Sequence, residues 1–218
     1  MKVRMLVTLA GLALVLPQAV DAQARRGNKV ELSPMVGYQW GGGAAIRHEQ
    51  TTGDLRFPSS IAYGLAADFE VRRGVFVEAV VLAQPTTLEF REAGNVEFTE
   101  VGDLTNWYFH IGGLYEAINS GPTKPFAVIT LGATQMNPGA TSLNSDPNSE
   151  WFFSFAFGGG VKHYVSERVA LRAQVRAWVN VISGGTGFWF GTGGGGVNTW
   201  ISETLTQGEL SAGLVFVL

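Results

Sequence analysis

The chain has no cysteine, so no disulfide framework holds it together. Charge is scarce too: Asp, Glu, Lys and Arg make up 15% of its 218 residues, against about 25% in soluble domains. The net charge of -3 leaves no basic footprint for nucleic acid. Beyond the first residues no apolar run approaches the roughly 20 residues that a membrane-spanning helix needs. Against these shortages stand 29 glycines and an 11% share of aromatics.

The one continuous apolar run lies at the start. Lys2 and Arg4 precede Met5 to Leu16, Pro17 ends the run, and small residues follow at Ala22 and Ala24. A charged start, a short apolar stretch and small residues at alternate positions predict a secretory signal peptide over residues 1–22. Cleavage is expected after Ala22, with Ala24 as the alternative, leaving 23–218 as a single domain. An exported chain with little charge, much glycine and no spanning helix has one membrane solution. It must be a closed barrel, because hydrocarbon tolerates no unpaired backbone.

Period-two alternation supports that reading along the whole chain. One face of each predicted strand carries Val30, Leu32, Pro34, Val36, Tyr38 and Trp40; then Ile61 to Val71, Val75 to Ala83, Trp107 to Tyr115, Ala127 to Ala133, Trp151 to Val161 and Val169 to Val179 at every second residue; and last Leu210, Ala212, Leu214, Phe216 and Leu218. None of these is charged. The other face carries Glu31, Asp68, Glu78, His110, Lys162, Arg172, Arg176 and Glu209 among Gly, Ala and Ser, as a narrow lumen requires. The fold class expected is all-β: a closed, eight-stranded, antiparallel up-and-down transmembrane β-barrel. Connections after strands two, four and six are short. Those over 41–59, 86–104, 137–150 and 182–203 are long, the pattern of periplasmic turns and external loops. Both ends then fall on the periplasmic side. Pro34 removes a ladder donor in mid-strand, which predicts a local bulge.

These residues resemble the small eight-stranded outer-membrane barrels, the OmpA/OmpX-type and OmpW-like families. The most specific stretch is Gly158-Gly159-Gly160-Val161-Lys162-His163-Tyr164-Val165-Ser166-Glu167-Arg168-Val169-Ala170-Leu171-Arg172. The pattern Gly213-x-x-Phe216-x-Leu218 is similar to the terminal-strand assembly signal of that group, although the family usually ends in an aromatic residue. The resemblance implies a monomer in outer-membrane lipid, inserted by the barrel assembly machinery.

Candidate chemistry is confined to the lumen. Asp68, Glu78, Arg172, Arg176 and Glu209 share inward parity. Arg172 matches Glu78 in depth across the barrel, and Arg176 matches Glu209 on the adjacent strand. Buried charges must be paired, so these five form either a salt-bridge plug or a gate in a small conductance path. Gly191-x-Gly193-x-x-Gly196 matches a dinucleotide fingerprint by letter, but follows no parallel strand and opens no helix, so no cofactor is expected. His110 faces the lumen with no Ser two residues away on its own face, His163 points outward near the periplasmic rim, and His48 lies in a loop. No catalytic site is expected. Asp54, Glu92 and Asp146 are scattered over different loops, at no metal-ligand spacing. Trp40, Trp107, Trp151 and Phe153 on the external side, with Phe69, Tyr115 and Tyr164 on the periplasmic side, read as interfacial girdles. Three roles remain open: a structural or surface-interaction barrel, a conduit for apolar solutes, and a lipid-modifying enzyme.

Overall fold

The computed structural model describes residues 29–48, 51–92, 94, 96–139, 149–181, 187–192, 195–200 and 204–218. The expected signal peptide lies outside them, as does Asp146. Among the described residues twelve strands follow one another: β1 (Val30–Trp40), β2 (Gly43–His48), β3 (Thr51–Arg56), β4 (Ser60–Arg72), β5 (Val75–Glu92), β6 (Thr99–Glu116), β7 (Thr123–Pro138), β8 (Glu150–Tyr164), β9 (Val169–Val181), β10 (Gly187–Thr192), β11 (Gly195–Trp200) and β12 (Thr204–Val217).

Eight of them close a ring in the order β1, β4, β5, β6, β7, β8, β9, β12, and all neighbours are antiparallel. Successive rungs lead from Val30 through Phe69, Val77, Gly113, Ile129, Phe157, Ala177 and Gly208 to Trp40. One circuit therefore returns to β1 ten residues farther along. With a rise near 3.3 Å and strands near 4.8 Å apart, that shear tilts the strands by about 40°. The shear also brings a residue near the bottom of one strand level with one near the top of another, so side chains far apart in number meet in the lumen.

Tight connections mark one rim. Arg73 and Gly74 turn β4 into β5, and Gly74 takes the left-handed φ of 75° that the turn requires. Short segments likewise join β6 to β7 and β8 to β9. The two ends of the barrel meet at this rim, where the Leu218 amide donates to the Val30 carbonyl at 2.9 Å.

The opposite rim is taller than the sequence suggests. Much of 86–104, expected as a loop, continues β5 and β6 as one ladder up to Phe90↔Thr99. Within 41–59, β2 and β3 form a hairpin that joins the upper end of β5 from Gly53↔Glu92 to Arg56↔Glu89. Within 182–203, β10 and β11 pair directly, with Gly191 opposite Gly196. That antiparallel hairpin opens no helix, so the fingerprint letters lack the geometry of a phosphate cradle.

Pro34 corrects a second expectation. The ladders on both sides of β1 keep one register past it, without a bulge. The Pro34 carbonyl faces Gly213 of β12, and in an antiparallel strand the amide of the same residue points the same way. The missing donor is thus confined to the β1–β12 seam, where one lost rung leaves the register intact. The irregularities lie instead at Glu70/Arg72 and Leu88/Glu89.

Alternation divides the wall cleanly. Val36, Tyr38, Ile61, Tyr63, Leu65, Ile111, Ile129, Leu131, Phe153, Phe157, Leu171, Val175 and Leu210 are all exposed on the outside. An apolar surface encircling a barrel far exceeds the patches that water tolerates. Inside, glycine lets neighbouring backbones close up. A methyl group on Gly132 would collide with the Phe109 carbonyl and sit 2.8 Å from the His110 Cα. Gly132→Ala is therefore expected to destabilise the barrel by about 1–3 kcal/mol, measurable as a lower urea midpoint in lipid vesicles. An unchanged midpoint would show that the strands separate freely there.

Candidate functional site: the filled lumen

The inward faces of β1, β4, β5, β8 and β9 place opposite charges in alternation. At the short-turn rim Lys29 Nζ lies 2.6 Å from Glu31 Oε1, and Glu31 Oε2 accepts from Lys162 Nζ at 2.5 Å. Lys162 also donates to Asp68 at 2.8 Å, and Arg172 reaches the same Asp68 oxygen at 3.1 Å. Arg172 Nη2 then donates to Glu78 Oε2 at 2.6 Å, and Arg176 Nη2 to Glu78 Oε1 at 2.8 Å. Glu116, 3.8 Å from Lys162, completes a set of four cations and four carboxylates.

The ladder is walled by rings. Phe126 lies under the Arg172 guanidinium at 4.7 Å, Phe76 under Lys162 at 4.9 Å, and Trp178 under Arg176 at 5.3 Å. Quadrupole attraction adds to the ion pairs while the rings keep water out. The Lys162, Asp68, Glu78 and Arg172 side chains are 0% exposed. A water-filled path would leave its lining accessible, whereas these four side chains are buried.

Above the charges lie three further layers. Trp178 packs against Tyr108 at 4.7 Å and meets the edge of His110 at 4.9 Å. Tyr108 donates to Gln207 at 2.5 Å, and Asn106 to Gln84 at 3.1 Å, forming an amide layer. At the long-loop rim Phe57, Leu88, Leu104, Met136, Phe152 and Leu205 form a buried apolar cluster.

All five lumenal residues expected from the sequence are buried inside the barrel, and four of them, Asp68, Glu78, Arg172 and Arg176, belong to the charge ladder. The Arg172–Glu78 contact matches the depth argument. Glu209 differs. It stands opposite Arg176 in the ladder of backbone pairs, yet its Oε2 accepts from Trp178 Nε1 at 2.7 Å and Gln39 Nε2 at 3.0 Å. Arg176 reaches down the bore to Glu78 instead, where a carboxylate already held by Arg172 offers its second oxygen. Gly213, Phe216 and Leu218 lie on β12 or at its end, with Phe216 and Leu218 exposed outward.

Sequence parity also left members of the ladder unassigned. Lys162 and Glu31 share the inward face, but their pairing across the bore becomes visible only with the shear. Tyr164 is not a girdle residue: its hydroxyl donates to Glu31 at 2.6 Å. It lies two residues beyond Lys162, so alternation already placed it inside. His110 does meet a serine, from another strand. Its Nε2 lies 2.7 Å from Ser154 Oγ of β8, and its Nδ1 lies 3.2 Å from Thr130. The third partner is a hydroxyl, not a carboxylate, and Ser154 is fully buried. His163, exposed, bonds Thr123 at 2.8 Å. Asp54 is paired with Arg91 at 2.5 Å. The side chains of His48, Glu92 and Phe188 to Phe190 lie outside the described residues.

No family model matches the chain, and no characterised relative is similar to it in sequence. Solved structures do match its fold. The outer membrane protein OprG from Pseudomonas aeruginosa superposes with a TM-score of 0.61 at 10% identity, over 88% of this chain and 96% of OprG. Neisserial surface protein A gives 0.54 at 14% identity, over 87% and 96%. AlkL, solved in lipid bilayers, gives 0.54 at 14% identity, over 88% and 90%. The chain thus has the fold of the small eight-stranded outer-membrane β-barrels. In that fold the short-turn rim is periplasmic and the long-loop rim external.

Proposed function

We propose that this protein is an integral outer-membrane barrel, closed to solutes along its axis, that serves as a rigid frame for a surface-interaction face. The observation that carries the reading is the charge ladder that starts at the partly exposed Lys29 and runs through the buried Glu31, Lys162, Asp68, Arg172, Glu78 and Arg176. Eight strands leave an interior just wide enough for side chains, and here those side chains are cross-linked.

What the frame holds is the external sheet of β2, β3 and the upper ends of β5 and β6. Arg56 pairs with Glu89 at 2.6 Å and Arg91 with Asp54, and both guanidiniums lie over Phe98, at 4.2 and 4.6 Å. Such a braced sheet presents a fixed surface, in contrast to a loose loop. Refolded protein in planar bilayers is expected to give no conductance steps above the lipid background. Steady unitary steps that persist at neutral pH would overturn the plug and favour the gate.

A second reading rests on the apolar cluster at the external mouth, which sits directly on the amide layer. Apolar solutes partition into such a cap while ions do not, which supports a conduit for apolar solutes. Uptake of an apolar dye into proteoliposomes, faster than into protein-free vesicles, would support it without any ion conductance. Among the described residues the hydrogen-bond partners of His110 are the hydroxyls of Ser154 and Thr130, so the pair adds nothing in favour of the lipid-modifying reading.

A further inference from the structure

Among the described residues the lipid-facing wall carries a marked dent. Near the periplasmic rim Val75, Gly113, Tyr115, Ala127 and Ile129 surround a depression of about 350 Å³. Gly113 lies on the exposed face between Ile111 and Tyr115, yet a Cβ built on it would meet no heavy atom within 4 Å. In a bilayer such a gap does not stay empty, because surrounding chains gain dispersion contacts by entering it.

The rim end of the dent is basic. Arg72, Val75, Tyr115 and Ala127 stand directly opposite one another in succession across β4, β5, β6 and β7. Directly opposed residues project from the same face of a sheet, which places Arg72 beside Val75 at the mouth of the dent. Arg73 follows in the turn. Both arginines are exposed, and neither has an ion-pair or hydrogen-bond partner among the described residues. The neighbouring acid, Glu70, accepts from the Gly74 amide at 3.2 Å. Tyr115, 57% exposed, brings a hydroxyl to the same level.

We propose that this depression binds one anionic phospholipid of the periplasmic leaflet. One acyl chain lies on the Gly113 floor between Tyr115 and Ile129, and the phosphate is held by Arg72 and Arg73. The proposal rests on the membrane-embedded reading above. Charge decides between lipid and a second copy of the chain. A twofold contact through this face would bring the Arg72-Arg73 turns of both copies together, and like charges so placed oppose association. A phosphate complements them.

The test uses the full chain refolded in micelles, titrated with phosphatidylglycerol or phosphatidylcholine of identical acyl chains and read by native mass spectrometry. Heat-modifiable gel migration is checked first; a chain that never shows it defeats the barrel reading itself. One phosphatidylglycerol per chain, held in preference to phosphatidylcholine, is expected. Gly113→Leu fills the floor and is expected to weaken both lipids about tenfold. The double variant Arg72→Gln with Arg73→Gln, altered only at exposed positions, should abolish the preference and leave phosphatidylcholine binding unchanged; it carries the test if Gly113→Leu fails to fold. Ala212→Leu, outward on β12 across the ring, should change neither. Equal binding of the two lipids by the unmodified chain, unchanged binding in Gly113→Leu, or a dimer that Gly113→Leu dissociates would each overturn the proposal.

Discussion

Removal of Val215 to Leu218 is expected to abolish heat-modifiable migration on gels and accumulation in the outer membrane. These residues hold both seams of β12. Phe216 and Val217 pair with Leu32 and Glu31 of β1, and Val215 and Phe216 with Ala170 and Val169 of β9. The Val217 amide donates to Arg168 at 2.8 Å, and the Leu218 amide to Val30. Without them the lower end of β1 becomes an open edge facing hydrocarbon, where each unsatisfied backbone group costs several kcal/mol. A soluble domain tolerates the loss of a few terminal residues. If the shortened chain accumulates folded in the periplasm, the membrane reading is wrong. Phe216→Ala separates structure from the proposed assembly signal, since it keeps every backbone rung. Normal refolding in vesicles with impaired insertion in cells would assign Phe216 to the signal.

The wall of the barrel was legible because lipid imposes a simple test: one face of every spanning strand must be free of charge. Tyr63, Leu65, Ile111, Ile129 and Val175 pass it and are exposed outside, while Asp68, Glu78, Lys162 and Arg176 are buried within. The same test ended the strands too early. Asp103 lies on the outward face of β6 and is exposed, because β6 there has risen beyond the apolar belt into water. Beyond that height a strand can carry charge on both faces, so the extensions of β5 and β6 read as loop.

Lumenal partners were harder, for a geometric reason. Parity says that a side chain points inward and depth says how far along its strand it lies, but a shear of ten residues re-levels the strands against each other. Arg176 and Glu209 are backbone neighbours, yet a guanidinium on a long stem reaches along the bore as easily as across it. Ser154 was missed beside His110 because their strands, β6 and β8, are separated by β7 in the ring. Only the closed register brings their inward faces within 2.7 Å.

Glu78 is the residue whose loss the lumen should tolerate least. It holds Arg172 with one oxygen and Arg176 with the other, so Glu78→Ala leaves the buried Arg176 without a carboxylate and Arg172 with Asp68 alone. Breaking a buried pair by removing one partner costs about 3–5 kcal/mol, and here two cations lose the same anion. Equilibrium urea unfolding in lipid vesicles is expected to show a loss of that size. Glu209→Gln is the contrast. Its Oε2 accepts from the neutral donors Trp178 and Gln39, and an amide oxygen can take over that role, so the expected loss is within about 1.5 kcal/mol. Replacing Glu78, Arg172 and Arg176 together by apolar residues of similar volume removes the charges along with their mutual dependence, and should recover much of the stability lost in Glu78→Ala. A plug predicts that this triple variant still conducts no ions, because its side chains continue to fill the bore. A gate predicts open conductance in Glu78→Ala, where the bridging carboxylate is gone. Stability of Glu78→Ala within 1 kcal/mol of the unmodified chain, on the scale of an exposed ion pair, would mean that water reaches the arginines and that the ladder does not seal the barrel.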